Sequence, residues 1–358
     1  MAGEKEGVAF VIMSIDHHFF TTPYERTAIM GGAYMGREGS PASVVLNPAA
    51  LYSIKRPDAM ATWTQCNWKG DGGAIGRTST QAVTESVNAQ LTDTGIYVAL
   101  PLGAQGGVLA IGADSFNTTY SAWSVTEPRD NGSRLFAAYS SSLGKNISWG
   151  YGLMCLDDCY GWGTRWYNGI SLSKYDMKHQ SQNWRHRLAL QGDNGGSFRW
   201  GIQGTYGYGE GDNYWNGVDN DGKERLECTA FRGGVQWQLS RRTRLACDID
   251  WQNIDIQFGK HTAAIGHSAT AYYKGTTLRA MLGLEYSLSK SLSLRGGYRH
   301  SSFNIEDLCN KNAMQGINTA ALGLDYRLDD RLNVSWNGEY TWMGYGDFTQ
   351  SLSIRYSF

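Results

Sequence analysis

The last third of the chain, residues 275–358, alternates apolar and polar side chains with a period of two. At its end Phe348, Gln350, Leu352, Ile354, Tyr356 and Phe358 share one face, and Thr349, Ser351, Ser353, Arg355 and Ser357 share the other. Upstream, Leu332, Val334, Trp336, Tyr340 and Trp342 oppose Asn333, Ser335, Asn337, Glu339 and Thr341. Leu278, Ala280, Leu282, Leu284 and Tyr286 likewise oppose Arg279, Met281, Gly283 and Glu285. A strand sends successive side chains to opposite faces, so these segments are strands with one greasy side and one wet side. A soluble sandwich also alternates, but its wet face looks at water and is rich in Lys and Glu. Here the wet face carries Gly, Ser, Thr, Asn and paired charges with much Arg, and the apolar face ends in Tyr, Trp or Phe, as at the two interfaces of a bilayer. The expected fold is all-β: a transmembrane antiparallel β-barrel of about 14 strands. Its last strand must pair with its first, because an open edge cannot stand in lipid.

Composition agrees with this reading. The mean hydropathy of -0.41 is low for a membrane protein. It is what a barrel gives, since only every second residue meets lipid. No apolar run approaches the ~20 residues of a spanning helix. Val8–Ile15 is short and follows Glu4, Lys5 and Glu6, unlike an intact signal peptide. The expectation is a mature form carrying a start Met. A net charge of -1 argues against a nucleic-acid partner.

The spacing Cys155-Leu-Asp-Asp-Cys159 fits neither a zinc site nor a redox pair, and in an oxidising compartment it suggests a local disulfide. The C-x-x-C-H pattern of haem attachment is absent. The alternation places short turns after every second strand and long loops at 69–93, 156–183 and 209–227. That asymmetry puts both chain ends on the short-turn side, the periplasmic side of such barrels. A phase slip at Asn253, where the apolar set moves from Ile249 and Trp251 to Ile254 and Ile256, suggests a β-bulge.

Residues 1–58 do not alternate and are interrupted by Gly31, Gly32, Gly36, Gly39, Pro41, Pro48 and Pro57. Within them Met30-Gly31-Gly32-Ala33 precedes Asn47-Pro48-Ala49, which stands just before the first strand. This pair of motifs resembles the N-terminal region of the FadL-type transporters of hydrophobic compounds and the related PorV-type barrels. The closing Ser353-Ile-Arg-Tyr-Ser-Phe358 is similar to the last strand of bacterial outer-membrane barrels. The resemblance implies an outer-membrane, multi-pass location and a hatch, residues 1–58, lodged in the lumen of a barrel formed by 59–358. That family has Gly after Asn-Pro-Ala where this chain has Ala50. It further implies passive uptake of a hydrophobic small molecule by a monomeric barrel in contact with outer-membrane lipid, with no cofactor. The alternative is a PorV-like surface adaptor for secreted proteins.

The wet faces line the lumen and carry Arg185, Arg187, Arg199, Arg232, Asp248, Asp250, Arg279, Glu285, Arg295, Arg299, Asp325, Arg327, Glu339 and Arg355. Unpaired charge in a narrow bore is costly, so these groups should pair across strands. From this set Arg279, Glu285, Arg295, Asp325, Arg327, Glu339 and Arg355 are the candidates to touch the hatch or a ligand, since the Arg fork suits a carboxylate. Asp219-Asn-Asp-Gly222 fails the EF-hand template, and the adjacent His17 and His18 point apart on an extended chain, so no metal is expected. His186 and His300 fall on apolar faces without a Ser and carboxylate set, and there is no Gly-x-Ser-x-Gly elbow, so no enzyme is expected.

Overall fold

The alternation read along the sequence becomes a closed wall. The structure, a computed structural model, describes residues 33–37, 39–77, 82–103, 106–121, 125–167, 172–215, 218–262, 268–307, 311–342 and 346–358. Among them run β1 Asp58–Arg77, β2 Ala82–Pro101, β3 Val108–Ser121, β4 Val125–Gly144, β5 Ile147–Tyr167, β6 Leu172–Asp193 and β7 Phe198–Trp215. The wall continues with β8 Val218–Gln238, β9 Thr243–Thr262, β10 Ser268–Ser287, β11 Leu292–Asp307, β12 Lys311–Arg327, β13 Leu332–Trp342 and β14 Gly346–Ser357. Each strand pairs antiparallel with its sequence neighbours, and β1 closes on β14 from Asp58↔Ser357 to Trp68↔Asp347. The Phe358 amide donates to Pro57 O at 2.9 Å, fastening the two ends of the barrel together.

Side chains sort by parity. On β10 Leu278, Leu282, Leu284 and Tyr286 are exposed on the outside, whereas Arg279, Met281 and Glu285 are buried in the lumen. Outward apolar residues of this kind recur on every strand from β1 to β14, with aromatic contacts such as Phe231–Trp251 and Tyr340–Trp342 among them. A soluble protein does not leave such a band uncovered.

Three expectations are corrected. The long loops at 69–93, 156–183 and 209–227 are largely strand: β6 alone runs 22 residues, about twice what a bilayer crossing requires. Alternation is lost there because both faces of a strand beyond the bilayer meet water. The bulge at Asn253 is absent: Gln252, Asn253 and Ile254 pair in unbroken register with β8 and β10, and Ile254 points inward. The slip is an apolar residue in the lumen, not a break in the strand. Finally, Cys155 is a free thiol. Cys155 and Cys159 lie on the same strand, pairing with Leu135 and Asn131 of β4. Four residues of strand set their Cα atoms roughly 13 Å apart, beyond the ~7 Å limit for a disulfide.

Candidate functional site

Residues 33–54 lie inside the barrel, and their geometry follows from Asn47-Pro48. Ser43–Leu46 forms a single helical turn, α1, and Pro48–Ser53 a 3-10 turn. Between them Asn47 is extended at φ -149°, ψ 96°, as a residue before proline must be. Pro48 opens the 3-10 turn, where its missing N–H leaves nothing unsatisfied. Asn47 Oδ1 caps that turn by accepting from Ala49 N at 3.2 Å, and its Nδ2 donates to Met35 O at 3.0 Å. Ala50 fits within the turn, buried, so the departure from Gly costs no geometry here.

The wall holds this segment by its backbone. Ser148 donates to Ala49 O at 2.9 Å, and the Ser140 hydroxyl, shared with Trp149 O at 2.8 Å, reaches the same oxygen at 3.2 Å. Arg187 donates to Val45 O, and Gln191 Nε2 to Arg37 O at 2.7 Å. Asp248 Oδ2 accepts from the amides of Tyr34 and Met35, at 2.8 and 3.0 Å, and from Arg232 Nε at 3.3 Å. The Arg232 guanidinium also lies 3.7 Å from the centre of the Tyr34 ring. Arg37 reaches Glu285 at 3.3 Å. Close approach depends on two wall glycines. A Cβ on Gly150 would stand 2.3 Å from Pro48 C, and one on Gly201 2.3 Å from Met35 O.

Of the predicted motif, Ala33, Asn47, Pro48 and Ala49 are all buried in this segment, while Met30, Gly31 and Gly32 lie outside the described residues. His17 and His18 lie outside them too. Among the candidate charges, Glu285 touches the segment, through Arg37. Arg295 bridges Glu285, at 3.1 Å, and Asp325. Arg279 pairs with Asp250 at 3.1 Å, Arg299 with Glu339 at 3.1 Å, and Arg355 Nε with Asp58 at 2.7 Å. Arg327, at the end of β12, is exposed. Arg279 and Arg355, two of the candidates to touch the hatch, each have a carboxylate on the adjacent strand, where a desolvated charge gains most from pairing.

One cluster went unseen in the sequence. Arg134 on β4, fully buried, bonds Asp93 on β2 and, at 2.5 Å, Asp114 on β3, and Tyr97 Oη donates to Asp114 at 3.2 Å. Asp93 fell in a segment read as loop, and the adjacent Leu135 and Phe136 hide the phase of β4. One inward position further from the chain ends, six lumen residues are apolar: Leu91 follows Asp93, Phe116 follows Asp114, and Leu156, Leu226, Ile254 and Ile317 lie on other strands. They are interleaved with buried polar neighbours, Thr118 opposite Leu91, Asn183 opposite Leu156 and Ser301 opposite Ile317. The site therefore has two storeys: a clamped segment among paired charges, then a layer of mixed apolar and polar side chains.

Residues 161–327 match the family model of the outer membrane protein beta-barrel domain. No curated protein matches the chain by sequence. Among solved structures it is similar to a FadL homologue of Pseudomonas aeruginosa, with TM-score 0.65 and 13% identity over 92% of this chain and 97% of that one. A deletion mutant of the monoaromatic hydrocarbon channel TodX gives TM-score 0.65 and 12% identity over 92% and 97%. The toluene transporter TbuX of Ralstonia pickettii gives TM-score 0.61 and 12% identity over 94% and 98%. The chain thus has the fold of the FadL-type outer-membrane β-barrels, from the inner segment to the closing strand.

Proposed function

We propose that this protein is an outer-membrane channel for passive uptake of hydrophobic compounds, long-chain fatty acids or aromatic hydrocarbons, in which residues 1–58 act as the hatch. The observation that carries this reading is the order of the two storeys. In the upper storey Leu91, Phe116, Leu156, Leu226, Ile254 and Ile317 offer a greasy solute apolar contact between polar neighbours. Beneath it, the bore is obstructed by a segment held to the wall by hydrogen bonds and by a shared apolar core, in which Tyr34, Met35, Val44 and Leu46 cluster with wall residues such as Met60, Phe136 and Met281. Each such bond contributes about 1 kcal/mol net. A handful of them can be exchanged for water without unfolding the wall, whose ladder is independent of them. In this reading the chain ends face the periplasm, the long strand extensions face outward, and one barrel works alone. The named substrates of the similar channels and transporters agree with it.

Uptake of a labelled fatty acid and of toluene should be compared in cells carrying the wild type, the double variant Asn47→Ala/Pro48→Ala, or no protein. Uptake that requires the protein and changes in the variant supports the hatch. Equal uptake in all three overturns the proposal.

A further inference from the structure

The outward apolar band is not level around the barrel. On β8 it climbs from Trp237, the penultimate residue of the strand, to Phe231, six residues further from the chain ends and stacked on Trp251 of β9. His186, Tyr206 and Tyr208 extend this high edge across β6 and β7, with His186 and Tyr208 stacked. On β2 the band starts at the same place, Leu100, again the penultimate residue, but ends at Ile96. The residue six positions from Leu100 is Thr94, which is exposed. It pairs with Ser115 of β3, and Ser115 with Ser133 of β4, both also exposed. The next outward row is Gln65 on β1, Thr92 on β2 and Asn117 on β3. Gln350 of β14 donates to Gln65 at 3.3 Å, and the Thr94 and Ser115 hydroxyls are 3.3 Å apart.

We infer that the wall from β1 to β3 is a headgroup-binding sector, where the outer edge of the bilayer sits about 5 Å lower than against β8, a drop of roughly two residues on tilted strands. Polar side chains in hydrocarbon must find partners. These hydroxyls and amides bond one another in pairs, yet each keeps donor or acceptor capacity that a tail cannot meet. Water, phosphate and ester groups can. The patch carries no charge, so it selects no particular headgroup sign. A protein partner fits poorly, since the centre of an interface needs aromatic or Arg anchors, and these rows hold hydroxyls and amides, with Trp63, Ile96, Leu135, Leu352 and Phe348 only at their borders. Fractions of a kcal/mol per ångström of mismatch are the usual cost of such thinning, less than burying a row of hydroxyls. The inference needs the barrel to span a bilayer but is independent of transport.

The test uses the full chain in phosphatidylcholine vesicles, with the six native cysteines replaced and a nitroxide attached at Thr94→Cys or Phe231→Cys. Collision with oxygen and with a water-soluble nickel chelate reads depth. The Thr94 label should lie about 5 Å nearer the aqueous phase than the Phe231 label. Equal depths overturn the inference. A Thr94 label shielded from both reagents also overturns it, in favour of a covering protein. Should the labelled chains fail to fold, hydroxyl-radical footprinting of the unaltered protein reads the same boundary. Trp63 should be oxidised while Phe231 is protected, and the Thr94→Leu/Ser115→Leu variant should protect Trp63. Protection of Trp63 already in the wild type counts against the inference.

Discussion

Asn47 donates from its side-chain amide to the main-chain carbonyl of Met35, 3.0 Å away, across twelve residues of the inner segment. The same Met35 gives its amide to Asp248 on the wall. One side chain therefore ties the capped 3-10 turn to the part of the segment that the wall grips. Pro48 supplies the fixed φ that keeps the cap in place.

Replacing Asn47 by Ala removes the cap, about 1 kcal/mol, and strands a buried carbonyl at Met35, about 1–3 kcal/mol more. The barrel ladder is untouched. The expected outcome is a folded barrel, with unchanged heat-modifiable mobility on gels, whose segment 33–54 exchanges amide hydrogen faster. In planar bilayers its conductance should rise. Unchanged exchange in this segment would show that Asn47 does not hold it.

The charge cluster on β2–β4 predicts a contrast rather than a single loss. Arg134→Met leaves Asp93 and Asp114 buried beside each other without their cation, which should cost about 3–5 kcal/mol. Replacing all three by apolar residues of similar volume should cost much less, because this cluster then leaves no charge buried without its partner. Urea unfolding in detergent micelles measures both. Equal losses in the single and triple variants would remove the argument.

Cys155 should behave as an ordinary free thiol. Maleimide added to the unfolded protein without reductant should label it, and peptide mapping should find no bridge to Cys159. A Cys155–Cys159 peptide recovered only after reduction would contradict the strand assignment of β5.

The wall was legible because a bilayer enforces strict parity: Leu278 to Tyr286 and Phe348 to Phe358 name their face by position alone. Where the enforcing solvent changes, the signal fades. Beyond the bilayer both faces are wet, so β5 and β6 past Leu156 and Asn183 read as loop although they pair through Tyr167↔Leu172. In the lumen an apolar residue such as Ile254 mimics a slip of register. The site was legible in part. Asn47-Pro48-Ala49 declared a turn through backbone chemistry, and Arg187 and Asp248 declared themselves inward by parity. Which inward charge grips the segment was not legible. It depends on which strand the segment leans against, a fact of three dimensions carried by Ser140, Ser148 and Gly150 on β4 and β5. A serine or glycine in a strand has no distinguishing spacing.

Two glycines of β5 offer the sharpest test of how the segment is seated. Gly150 and Gly152 both face the lumen, two residues apart, and both lie under Pro48. A Cβ on Gly150 would come within 2.3 Å of the Pro48 carbonyl carbon and 2.4 Å of Ala49 N, where backbone cannot give way. A Cβ on Gly152 would meet Pro48 Cγ at 3.6 Å, an ordinary contact. Gly150→Ala should therefore lift the 3-10 turn off the wall and break the two serine bonds to Ala49 O, whereas Gly152→Ala should leave the segment seated. Neither change removes a strand hydrogen bond, so both barrels should fold. Protease cleavage within residues 39–54 and bilayer conductance report the seating. Gly150→Ala should raise both and Gly152→Ala neither. Identical behaviour of the two variants would mean that the segment does not rest on β5 as the structure has it.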